Sequence, residues 1–442
     1  MEKKTCDVAV IGAGIGGLCV AARLAHAGYK TIVLERMPIL GGRYNYVDYK
    51  GYLLPVGAGC LWAGTKDPVY RTLIDVNANV DFEMKAVPPQ KWRINGKDYE
   101  VPGMAGVLGV LSVVCELEGL DEKRILTALG RAFAWREPSD DITFKDWMLQ
   151  VTDSKTINNI FQAICVMLVG PNAAEISAGD FFRYARPYVD MDAPMLLPRK
   201  GLGVIVDSLA KVIRNNKGEL LNLVRVQRII VQDGKATGVE AKGPEGELQI
   251  EAKVVVSDVG PKKTVELAGE QNFDQGYLKD VRELRPWAGI SYFVASDGPL
   301  YDSPGGLYTI DTRRAGMWVD MTLIWPEWAP KGKNWMYFYE GTESATSYNI
   351  KKEYEAFLAD LNDTFPNFKK QGGEILLIKR YDAEWPCLRA WPSADRHRRT
   401  PVEDLYNVGD AVIPAGSGWN GGSGAAESAR IAAEDIMARI AV

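Results

Sequence analysis

The feature that most constrains this chain is a strand, glycine loop, helix, strand and acid, in that order, within its first thirty-five residues. Asp7-Val8-Ala9-Val10-Ile11 is a short apolar run between polar residues, the pattern of a parallel strand buried on both faces. It runs into Gly12-Ala13-Gly14-Ile15-Gly16-Gly17, where Gly12, Gly14 and Gly17 fit G-x-G-x-x-G. A helical pattern follows, with Leu18, Ala21, Ala22 and Ala25 on one face and Gly28 placed to stop it. Thr31–Leu34 then reads as a second strand ending in Glu35. Each part has a job in holding a dinucleotide. Gly12 allows a tight turn, Gly14 lets backbone approach a pyrophosphate, and Gly17 lets the helix sit close to the sheet. The helix N-terminus offers free N–H groups to phosphate. Glu35, eighteen residues past Gly17, stands where a carboxylate binds a ribose hydroxyl and repels a 2′-phosphate. A lone G-x-G-x-x-G is weak evidence, but here all five features agree.

Composition narrows the rest. At 442 residues the chain has room for two to three domains, and its net charge of −5 argues against nucleic acid as a partner. The six cysteines (Cys6, Cys19, Cys60, Cys115, Cys165, Cys387) form no C-x-x-C pair, and His26 and His397 are the only histidines, so no metal site is expected. The strand begins right after Met-Glu-Lys-Lys-Thr, leaving no signal peptide, and the longest apolar stretch, Met104–Cys115, is too short to span a bilayer. The expectation is a cytoplasmic protein. Arg396-His397-Arg398-Arg399 reads as a solvated basic turn, with peripheral contact at a membrane surface as its sharper alternative.

After Glu35-Arg36 comes Met37-Pro38-Ile39-Leu40-Gly41-Gly42-Arg43. This segment resembles the flavin amine oxidase and phytoene desaturase superfamily, which places Gly-Gly-Arg just after the ribose-binding acid. The resemblance implies that Gly42 and Arg43 contact the pyrophosphate of FAD. Four further stretches extend it. Gly51–Gly59 is similar to the family's glycine-rich turn beside the flavin ring, with Pro55 where the family often has an acid. Lys200-Gly201-Leu202-Gly203 precedes an amphipathic helix, and Val226 stands in the strand whose backbone would meet the adenine. Leu405–Asp410 and Gly421–Arg430 are similar to the C-terminal FAD motif, with Asp410 on the ribityl–phosphate end and Gly424 and Ala425 facing the pyrimidine edge. The implied FAD set is Gly12, Gly14, Ile15, Gly16, Gly17, Glu35, Arg36, Gly42, Arg43, Gly57, Ala58, Gly59, Val226, Gly409, Asp410, Gly421, Gly424 and Ala425. A second G-x-G-x-x-G at Gly416, Gly418 and Gly421 lies too close to the C-terminal end of the sequence to be followed by a ribose-reading strand, so it reads as flavin loop rather than an NAD site.

These motifs divide the chain. The expected fold is α/β, a discontinuous Rossmann-like FAD-binding domain (1–80, 200–265, 376–442) with a second α+β substrate domain (81–199, 266–375). In the second, Asn95-Gly96 predicts a hairpin. Helical spacing dominates from about 105 to 190, and strands return at Gly289–Val294, Trp318–Ile324 and Trp335–Tyr339.

In an FAD enzyme of this type the flavin takes the hydride, and the protein supplies position, electrostatics and exclusion of water. The catalytic candidates are Trp419 and Asn420, which abut the flavin-binding turn. Asp382 and Glu384 are candidate proton acceptors, although ion pairs with Arg380 or Arg389 are the plainer reading. Tyr381, Trp385 and Trp391 are further aromatics that would line a pocket or pack between domains. Met104–Cys115 reads as a core helix, with an apolar lip for a lipid-like substrate as the alternative. Three functions fit. The leading one is an FAD oxidoreductase acting on allylic C–C bonds of an apolar, isoprenoid or terpenoid substrate, reoxidised by oxygen, a quinone or a protein. The others are a flavin amine oxidase and a non-catalytic FAD-binding subunit in a hetero-oligomer, and a homo-oligomer is open as well.

Overall fold

A computed structural model describes residues 2–100, 105–191, 193–284, 288–314, 316–344, 347–381, 399–412 and 417–441. The expected first unit forms, with a helix at Ile15–His26, a strand at Thr31–Glu35 and Gly28 at φ +98° just past the helix, but its first strand is longer than the Asp7–Ile11 read from the sequence: it runs Glu2–Ile11, because Glu2–Cys6 also pair along Leu248–Ala252. The first strand is central. It pairs in parallel with Leu248–Ser257 of the sheet's long strand Gly246–Ser257 and with Thr31–Glu35, which in turn pairs in parallel with Glu219–Asn222. Leu405–Asn407 adds on the far side of Gly246–Ser257, also in parallel. Arg225–Gln232 and Lys235–Gly243 form an antiparallel meander that returns to the same long strand. The sequence places Val226 in one strand, resembling the family's segment over Asn222–Ile229. That segment is two strands, because Leu223 turns the chain at φ +60° between them.

Helix Ile15–His26 packs between helices Gly203–Asn215 and Gly421–Arg439 on one side of this sheet. Its face of Leu18, Ala21, Ala22 and Ala25 is fully buried. Small side chains there let the helix lie close to its neighbours, as a dinucleotide fold requires.

A second, seven-stranded sheet runs in the order 374–381, 289–296, 334–340, 316–319, 307–309, 91–94, 97–100. It is antiparallel except for the pair 307–309 with 91–94. The Asn95-Gly96 hairpin is present, with both residues at positive φ (51° and 76°), as a two-residue type I′ turn demands. Two expectations need correction. The strand expected over 318–324 stops at Val319, because the Asp320 carboxylate accepts the Thr322 N–H at 2.9 Å and starts a 3₁₀ turn at Met321–Leu323. The strand Glu374–Tyr381, which the sequence reading places mostly in the cofactor unit, instead pairs along Gly289–Ser296 in the second sheet.

One face of this sheet is covered by helix Ile350–Thr364: Phe357 stacks on Tyr292 with centroids 3.9 Å apart, beside Trp318 and Phe338. By the strand's alternation, Ser291 and Phe293 then point to the opposite face. Between 105 and 191 lie five helices, Ala105–Glu118, Glu122–Ala134, Phe144–Val151, Lys155–Leu168 and Ala178–Met191. Asp121, Thr143 and Ser154 cap three of them by accepting backbone N–H bonds. Phe144 is their hub, 3.8 Å from Phe181 and in edge contact with Phe161 and Phe182. Truncating this fully buried ring (Phe144→Ala) should cost about 3–5 kcal/mol. Denaturant unfolding checks this, and a loss below about 1 kcal/mol would show that the hub collapses around the missing ring.

Candidate active site: a cleft between the two sheets

The strands Glu2–Ile11, Thr31–Glu35 and Gly246–Ser257 end side by side, and a cleft of about 690 Å³ opens at those ends. This is where ligands bind in open α/β sheets. Its size is within the usual range for cofactor and substrate sites.

At one end Gly12 turns at φ +93°, and Gly12, Gly14, Ile15 and Gly16 face the cleft. A Cβ on Gly17 would sit 2.2 Å from the Gly12 carbonyl oxygen, so the loop closes only with glycine there. Glu35 is nearly buried and pre-aimed: one carboxylate oxygen accepts from Ala13 N at 2.8 Å and the other from Met37 N at 2.7 Å. Arg36 and Val226 line the same end.

Further along, Gly42, Arg43, Gly57, Ala58, Gly59, Gly409 and Asp410 line the cleft. Arg43 Nη2 donates to both oxygens of Asp410 at 2.6 Å, joining residues 367 positions apart. Gly421 opens the C-terminal helix, and Asn420, Gly421 and Ala425 border the cleft. Helices Ile15–His26 and Gly421–Arg439 receive no side-chain cap from their N-cap residues, whereas Asp67, Asp121, Thr143 and Ser154 cap helices elsewhere. Helix Pro261–Ala268 also starts uncapped at this cleft, and several such helix starts beside an arginine fit a pyrophosphate-bearing cofactor.

The structure thus brings together nearly all of the expected cofactor residues. Gly17 and Gly424 are exceptions, since neither lines the cleft. Gly17 closes the loop from behind, and a Cβ on Gly424 would meet the Trp419 carbonyl at 2.7 Å, so it serves packing at the helix start. Trp419 also turns away. It packs edge-on against Tyr188 at 5.3 Å and lines a separate charged depression with Arg23, Arg71 and Arg430. Asn420 stays at the cleft, its amide donating to Leu168 O at 2.7 Å and its oxygen accepting from Tyr188 at 3.3 Å. Tyr381 lines the cleft. Asp382, Glu384, Trp385, Trp391, His397 and Gly416 lie outside the described residues.

Sequence reasoning missed Asp258. It follows the long strand and sits under the glycine loop, where Cβ atoms on Gly14, Gly16 or Gly409 would fall within 2.4–2.7 Å of its carboxylate. Those glycines therefore make room for an acid as well as for a ligand. Desolvation drives the Asp258 carboxyl far above the usual range, helped by the nearby Asp410 and opposed by a Gly17 N–H bond and by Arg43. Its one sequence signal is its place at the carboxyl end of a parallel strand. The aromatic wall was missed too. Phe293, Tyr337 and Tyr339 join Tyr381 on the second sheet, opposite the flavin-type turn. Cys60 lines the cleft, but burial pushes its thiol up to about 12, so it stays protonated at neutral pH.

With this geometry in hand, the family model described as "Flavin containing amine oxidoreductase" matches residues 15–437. The chain belongs to that family. It is an FAD-dependent oxidoreductase. An uncharacterised protein of Methanocaldococcus jannaschii is 25% identical over 94% of each chain. A crystal structure of an oxidoreductase from Methanosarcina mazei superimposes with TM-score 0.86 at 28% identity, covering 97% of this chain and all of that one. A prolycopene isomerase from an Oncidium hybrid is 24% identical over 93% of this chain and 81% of its own. Among the described residues, no helix of this family member is long and apolar enough to cross a membrane, and no group of three metal-ligating side chains converges.

Asp67 generates a test. Its carboxylate accepts from Val69 N at 2.8 Å and from Ser423 Oγ at 2.7 Å, tying helix Pro68–Asp75 to the C-terminal helix. Burial pushes its carboxyl up to about 6 against these bonds. The folded state therefore holds an extra proton between about pH 4 and pH 6, and this contribution to stability is lost as pH rises through that window. Asp67→Asn imitates the protonated side chain. Its stability relative to the parent should rise from pH 4 to 6 and level off above, as read by urea unfolding across pH. A flat difference would contradict the assignment.

Proposed function

We propose that this oxidoreductase oxidises allylic C–C bonds of an apolar substrate, of isoprenoid or terpenoid class, by taking hydride from an allylic C–H. The observation that carries this is the character of the cleft beyond the glycine loop. Its wall is Phe293, Tyr337, Tyr339 and Tyr381 with Trp62, Met167 and Leu168. The carboxylate on that side, Asp67, is 2% exposed and already hydrogen-bonded by Val69 and Ser423. A substrate ammonium would meet aromatic faces on that side but no unpaired carboxylate among the described residues, whereas a hydrocarbon gains by leaving water there. The likeness to prolycopene isomerase supports the same class.

The roles follow from position. Gly12, Gly14, Ile15 and Gly16 would offer backbone to the pyrophosphate, Glu35 would hold a ribose hydroxyl, and Val226 would meet the adenine. Arg43 would neutralise phosphate among the carboxylates of Glu35, Asp258 and Asp410. Gly57–Gly59, Gly421 and Ala425 would border the ring. Bound FAD supplies the hydride acceptor at N5. The aromatic faces exclude water and stabilise positive charge left on the donor carbon. Oxygen, a quinone or a protein would reoxidise the cofactor.

Anaerobic addition of a panel of unsaturated isoprenoids to the FAD-loaded enzyme should bleach the flavin band with at least one member, and an amine panel should not. Bleaching by amines with hydrogen peroxide release in air, and by no isoprenoid, would overturn the reading.

A further inference from the structure

Strand Glu374–Tyr381 grips the Pro55–Val56 turn through two side chains. The Tyr381 hydroxyl donates to the Val56 carbonyl at 2.9 Å, and Lys379 Nζ donates to the Pro55 carbonyl. Lys379 stands opposite Ser291 in the strand register, so it shares the sheet face that presents Ser291, Phe293 and Tyr381 to the cleft. Its ammonium lies 4.5 Å from the centre of the Phe293 ring. Burial pulls it down to about 8, and among the described residues no carboxylate offsets this. A cation drawn out of water onto a carbonyl and an aromatic face is costly to keep. A neutral donor suffices to hold the turn, as Tyr381 shows at the next carbonyl. The charge therefore needs a reason beyond cross-linking.

We propose that Lys379 is an electrostatic positioning residue of the redox centre, whose buried charge favours the reduced cofactor. This rests on the reading that the Gly57–Gly59 turn borders the flavin ring. A ring that takes up a hydride, two electrons and one proton, gains one net negative charge, and the apolar donor keeps the matching positive charge. A fixed cation one side chain behind the cleft wall stabilises that negative charge through a medium of low polarisability. Lys379 need not touch substrate or cofactor to do so.

The test is the two-electron midpoint potential of the FAD-loaded enzyme, measured by equilibrium reduction against an indicator dye. Lys379→Met and Lys379→Gln should each weaken reduction at least tenfold, a shift of about 30 mV to more negative potential. Lys379→Arg should stay within about twofold of the parent. Tyr381→Phe, which frees the neighbouring carbonyl without removing charge, should also stay within about twofold. The proposal is overturned if Lys379→Met keeps the parent potential, or if Tyr381→Phe shifts it as far. A parent protein that takes up no FAD overturns the cofactor reading instead.

Discussion

The whole site depends on the parallel pairing of the first strand. Register from Val8 to Ile11 against Val254–Ser257 on one side and Thr31–Leu34 on the other forces three strand ends into one line. Gly12 and Asp258 each follow one of those ends, and Glu35 closes the third. None of the three was brought together by sequence proximity: the sheet does it, and the side chains inherit the position. Leu405–Asn407 extends the same line and delivers Gly409 and Asp410 to it. A slip of one residue would turn every inward side chain of the first strand outward and scatter the set.

Charge then decides how the cleft works. Three carboxylates, Glu35, Asp258 and Asp410, gather where a diphosphate would lie, with Arg43 as their counterweight. Such crowding is tolerable because each acid is held differently. Glu35 is fixed by two backbone N–H groups, Asp410 by Arg43, and Asp258 by a carboxyl driven toward its neutral form. The opposite wall carries little charge, being aromatic and thioether surface, with Lys379 set one layer back. A polar floor for the nucleotide thus faces an aromatic wall, the arrangement that the proposed hydride transfer from an apolar donor calls for.

How much of this was legible depended on whether a local pattern carried it. The strand–loop–helix unit, the Asn95-Gly96 hairpin and most of the cofactor residues are written in short segments with strong conformational demands. The aromatic wall is not. Gly289–Ser296 is buried at every position, so alternation could not say which face Tyr292 and Phe293 each take. Only the helix covering Tyr292 settles it. Trp419 was misplaced because adjacency to the flavin-type turn says nothing of direction, and the start of the C-terminal helix swings the indole to the other side. Asp258, just past a strand, and Lys379, within one, were invisible as single charges, since their meaning comes from chain more than a hundred residues away. Asp320 ended a strand that apolar spacing alone would continue.

The central claim is that separated lengths of chain close on one FAD. Amide hydrogen exchange of the apoprotein with and without saturating FAD reads this segment by segment. The account predicts protection together at 12–17, 224–226 and 421–425, with one FAD bound per chain. Protection confined to one of these segments, or none at all, would contradict it.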